Sequence, residues 1–127
     1  MAMRRTLTIA AGAVLAMMAY QTVAQAKQLS PVIEVVTLKL KNGVTAEQFE
    51  LGDRDVETKY MVKRPGFLSR ESAPGSDNSW LVIVHWRSLA DADASMKSFA
   101  SAPAAAGFMS MIVPNSMVMT RYGQVGH

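Results

Sequence analysis

The segment 79–88, S-W-L-V-I-V-H-W-R-S, narrows the possible folds of this chain more than any other stretch. Val82, Ile83 and Val84 are β-branched, and the even spacing of Trp80 and Trp86 points both rings to one face of a strand. Ser88 reads as an N-cap with Asp91 three positions on, the pattern of a capping box, so the strand turns at once into a helix. A strand with large apolar side chains on both faces has to be covered on both sides. That requirement fixes the architecture far more tightly than it fixes an activity.

The first residues read as an address. Arg4 and Arg5 form a positive n-region, residues 7–20 are apolar and uncharged, and Ala24-Gln25-Ala26 is an A-x-A cleavage site. Residues 1–26 are therefore expected to be a cleavable signal peptide. The product, residues 27–127, would be periplasmic or secreted, with no stable membrane span after cleavage, because the apolar run is short and alanine-rich.

About a hundred residues then remain, enough for one domain with one modest core. The sequence has no cysteine, so no disulfide reinforces that core. Without Arg4 and Arg5 the charge is nearly balanced, 11 basic against 10 acidic residues. No basic cluster is left to follow a phosphate backbone, which excludes nucleic acid as a partner.

Residues 31–41 are rich in β-branched types and end at the turn pair Asn42-Gly43. Thr45 and Gln48 have capping-box spacing, which predicts a helix from Ala46 to about Lys63, stopped by Pro65. Phe49, Val56 and Tyr60 form its buried stripe, and Asp53 lies on the same stripe. Residues 67–73 read as a second strand, 74–78 as a turn, and 89–100 as a second helix with Ala92, Met96 and Phe99 inward. A short helix restarts at Pro103 and runs through Phe108 and Met109, and residues 116–122 form a last strand. Strand, helix, strand, strand, helix, strand is the ferredoxin-like βαββαβ order, an α+β fold with a four-stranded antiparallel sheet.

Helices on one face leave the other face bare. If Trp80 and Trp86 meet the helices, the bare face carries Ile33, Val35, Leu81 and Ile83. Such a patch marks an interface, and two copies packed sheet against sheet would bury it as a homodimer.

Pro65-Gly66-Phe67 at the start of the second strand and Trp86-Arg87-Ser88 at the exit of the third resemble the antibiotic-biosynthesis-monooxygenase-like (ABM) domains. These belong to the dimeric α/β-barrel superfamily, and the resemblance covers roughly residues 32–122. It implies a dimeric α/β barrel. For activity it implies either cofactor-free oxygenation of aromatic polyketides and quinols or haem degradation; many such domains have no known activity. The haem-degrading branch also has a tryptophan at the position of Trp86. Its ligating histidine would fall at Ser95 or Met96, and its pocket asparagine near Val36, so two of three key groups are missing.

Glu34 interrupts the apolar run of the first strand and Asp53 that of the first helix. Both are candidate catalytic bases for a cofactor-free oxygenase, since a carboxylate in an apolar cleft is pushed toward a neutral pKa. Phe49, Tyr60, Trp80 and Trp86 are the candidate walls for a small hydrophobic or aromatic ligand. The plainer alternative places Glu34 at the rim, paired with Arg70 or Arg121, and leaves Asp53 solvated on the helix edge. His85 faces away from Trp86, toward the expected dimer seam. The same cleft would also serve a non-catalytic ligand-binding dimer. A third reading is Cu(I) held by the pairs Met109/Met111 and Met117/Met119. Nucleotide loops, H-E-x-x-H and clustered metal ligands are missing from the sequence, so no cofactor or metal is expected.

Overall fold

Each element begins where a capping or turn signal stands in the sequence. The computed structural model describes residues 30–125, so the signal-peptide reading and His127 lie outside the described residues. The order is β1 (Val32–Lys39), α1 (Ala46–Lys59), a 3-10 turn (Met61–Lys63), β2 (Phe67–Pro74), β3 (Ser79–Trp86), α2 (Leu89–Phe99), α3 (Pro103–Ser110) and β4 (Val118–Gly123). The strands form one antiparallel sheet in the order β2-β3-β1-β4. This is the expected ferredoxin-like fold, with α3 added before the last strand.

Thr45 caps α1 with a complete capping box: its hydroxyl accepts from the Gln48 amide, and the Gln48 side chain accepts from the Thr45 amide. The α-helix ends earlier than expected, at Lys59. The chain tightens into i→i+3 bonds from Lys63 to Tyr60 and from Arg64 to Met61, and Arg64 is extended ahead of Pro65. Asp77 and Asn78 both take positive φ, the geometry that closes the β2–β3 hairpin with the right twist. Ser88 caps α2 by accepting from the Asp91 amide, and its hydroxyl donates to the Asp91 carboxylate. Gly66 sits at φ +79°, where a Cβ would run into that carboxylate.

Alternation along β1 and β3 turns Val32, Glu34, Val36, Leu38, Trp80, Val82, Val84 and Trp86 inward under the helices. The core is closed by Phe49, Val56, Tyr60, Ala92 and Phe108 from the helices. On α2 the inward position expected of Met96 is taken by Ser95. Met96 is 43% exposed, because the face that follows Ala92 by three residues, not four, meets the sheet. The opposite face carries Ile33, Val35, Leu81 and Ile83, all only half-buried, as the alternation predicts. Among the described residues no helix is long and apolar enough to cross a membrane.

Candidate functional site

A cavity of about 190 Å³ opens between the inner face of the sheet and helices α2 and α3. Its floor is Val36, Val82, Val84, Glu34 and Arg70 from three strands. Methionines supply much of the rest: Met61, Met96, Met109 and Met117, with Phe99 and Phe108 beside them. Met96 and Met109 are both part of the lining and nearly half exposed, which puts them at the mouth. Flexible thioethers make a wall that adapts to the shape of a guest.

Arg70 reaches this floor because β2 is irregular. Phe67 pairs with Trp86 and Ser69 with His85, so Leu68 is an extra residue without a partner on β3. The bulge reverses the alternation, and Arg70 lands opposite Val84 on the inner face. One row across the sheet therefore reads Arg70, Val84, Glu34, Arg121.

Both candidate carboxylates are buried and both face a guanidinium. Glu34 Oε2 accepts from Arg121 Nε at 2.8 Å, and Arg121 also bonds Asp93. Asp53 Oδ1 accepts from Arg70 Nη2 at 2.5 Å. Glu34 thus follows the paired reading, with Arg121 as partner, although it is buried and not at a solvated rim. Burial works to lower the Arg121 pKa, but the hydrogen bonds and charges of Glu34 and Asp93 outweigh it, so the net direction is upward. The group stays cationic at any working pH.

Glu34 belongs to the cavity wall, whereas Asp53 borders a second, more polar groove with Glu50, Arg54, Glu57, Ser72 and Trp80. Arg70 lies between the two and lines both. Phe49, Tyr60 and Trp86 do not line the cavity, because each is spent on packing. Phe49 stacks edge-on to Trp80 at 4.8 Å, Tyr60 to Phe99 at 5.5 Å, and Phe67 to Trp86 at 6.0 Å. The Tyr60 hydroxyl also donates to the Ser95 carbonyl at 2.6 Å, tying α1 to α2. The indole N–H of Trp86 is buried without a partner among the described residues.

The methionine pairs separate. Met109 and Met117 line the cavity, Met111 packs on the core near Gly52, and Met119 is exposed on β4. His85 stands on the outer face of β3 with Glu71 at 3.8 Å. Among the described residues no group of three His, Asp or Glu side chains converges as a metal site. Arg70 and the methionine wall are what sequence reasoning left out of the site.

No protein-family model matches the sequence, and no curated protein matches it. Solved structures share the fold. SnoaB of Streptomyces nogalater, a cofactor-independent oxygenase, superposes with a TM-score of 0.63 at 14% identity, over 77% of this chain and 96% of its own. A candidate antibiotic biosynthesis monooxygenase of Caulobacter crescentus gives 0.63 at 18% identity, over 80% and 96%. A dimeric ferredoxin-like protein of unknown function from Thermobifida fusca gives 0.60 at 13% identity, over 76% and 93%. The ABM-like resemblance carried by Pro65-Gly66-Phe67 and Trp86-Arg87-Ser88 is thus matched by an ABM-like fold.

Proposed function

We propose that this chain binds a small aromatic or quinol-like compound in the cavity beneath α2 and α3 and oxidises it as a cofactor-independent monooxygenase. The observation that carries the reading is Glu34, a buried carboxylate in the wall of a cavity that is apolar but for Arg70 and Ser95. A cavity of ~150 Å³ holds a benzene ring, so about 190 Å³ suits a single substituted ring. Glu34 would take a proton from a ring CH2 of the bound substrate. The carbanion would give its electrons to dioxygen and form a C–O bond, and cleavage of the peroxide O–O bond would leave one oxygen on the carbon as a carbonyl and release the other as water. The fold shared with a cofactor-independent oxygenase supports this chemistry.

Glu34→Gln tests it. An oxygenase loses at least ~10²-fold in turnover with little change in ligand affinity, because the amide keeps the shape without the base. One observation favours a second reading, a non-catalytic binder: Glu34 Oε2 is already held by Arg121. A binder consumes no dioxygen in the unmutated protein and keeps its affinity in Glu34→Gln.

We further propose that the protein is exported through its first 26 residues and works as a homodimer. Arg4, Arg5, the apolar run and Ala24-Gln25-Ala26 support export, which predicts a mature chain beginning at Lys27. The half-exposed face of Ile33, Val35, Leu81 and Ile83 supports the second copy, as does a fold shared with a dimeric protein.

A further inference from the structure

Among the described residues Arg70 is the only cation in the cavity wall. Its side chain is 4% exposed, and its two terminal nitrogens have different fates. Nη2 donates to Asp53, whereas Nη1 is buried with no partner among the described residues. A buried charged donor without an acceptor is among the costlier features a fold can keep. The bulge at Leu68 is what brings it there, since regular alternation from Phe67 would turn Arg70 outward to water.

Both guanidiniums nearby already face carboxylates. Arg70 faces Asp53, and Arg121 faces Glu34 and Asp93. A ligand anion would join three carboxylates set against two guanidiniums, so an uncharged acceptor is the better fit. Apart from Glu34 and Ser95 the remaining lining is apolar or thioether, which leaves Arg70 as the charged donor that can orient a ring.

We infer that Arg70 is the specificity anchor of the cavity and donates from Nη1 to a neutral oxygen acceptor, a ketone or quinone carbonyl, on a single-ring ligand. Asp53 is then a positioning residue that fixes the guanidinium through Nη2. The inference rests on the reading of this cavity as the ligand site and adds the ligand's chemical class to it.

Three probes of similar size test it by calorimetric titration: acetophenone, α-methylstyrene, in which a CH2 group replaces the carbonyl oxygen, and benzoate. Acetophenone is expected to bind about tenfold more tightly than α-methylstyrene, the effect of one hydrogen bond from a charged donor. Benzoate is expected to bind more weakly than acetophenone. In Arg70→Gln/Asp53→Asn, which removes the pair without stranding a buried charge, the tenfold preference disappears while α-methylstyrene binds as before. Equal affinity of the unmutated protein for acetophenone and α-methylstyrene overturns the role of Arg70 and leaves the cavity reading standing. Tighter binding of benzoate overturns the neutral class. No binding of any probe overturns the cavity reading and the anchor with it. Should the double variant fail to fold, the three probes on the unmutated protein decide alone.

Discussion

The two faces of the sheet are made from similar residues and end in opposite conditions. β1 places Val32, Val36 and Leu38 on the inner face and Ile33 and Val35 on the outer, and β3 divides its valines, isoleucine and leucine in the same way. The inner set is sealed by the helices. The outer set stays half-exposed, beside Val118 at 60% and Tyr122 at 55% exposure. Polar residues differ accordingly. Inside, the buried carboxylates of Asp53 and Glu34 each hold an arginine, whereas outside His85 and Glu71 stand 3.8 Å apart with the glutamate in water. Strand alternation thus settles which side chains share a face. Coverage is settled by whatever packs on that face, and for the outer one we assign that part to a second copy.

Substitutions on the two faces should break this contrast in a graded way. Asp53→Leu strands the Arg70 guanidinium in the interior and should cost about 3–5 kcal/mol in urea denaturation. Adding Arg70→Met to Asp53→Leu should recover most of the loss, and a double variant no more stable than the single one would show that no buried charge was stranded. Gly66→Ala forces a side chain to φ +79° and a Cβ against Asp91, at the seam between β2 and α2. A loss of about 1–3 kcal/mol is expected, and an unchanged midpoint would mean that the turn relaxes freely.

Outer-face substitutions should leave the monomer almost untouched. Ile83→Glu is expected to split the dimer in sedimentation velocity while lowering the stability of the single chain by no more than about 1 kcal/mol. A variant that stays dimeric would move the interface elsewhere. His85→Ala should have the smallest effect on chain stability, below about 1 kcal/mol, because its partner is solvated.

Most of the fold was legible in local signals. The Thr45 capping box, the Asn42-Gly43 and Asp77-Asn78 turns and the paired parity of Trp80 and Trp86 fix the element order without long-range information. Asp53 on the stripe of Phe49 and Val56 was also legible, and it is buried where that stripe predicts. The site was less so. Arg70 faces inward only because Leu68 is looped out of register, and a bulge leaves no periodic trace in an eight-residue strand. Met96 was expected in the core from its spacing to Ala92. It borders the cavity mouth instead, a position set by how α2 sits over the sheet and not by its own periodicity. The aromatic walls were expected from residue type, yet Phe49, Tyr60 and Trp86 are consumed by contacts with one another's neighbours.

Native mass spectrometry of the protein recovered after export would test the central claim most directly, that the inner face holds a ligand and the outer face a second copy. The account predicts a doubled mass of chains beginning at Lys27, carrying a small organic component of single-ring size. A single chain without any bound component, at micromolar concentration, would contradict it on both faces.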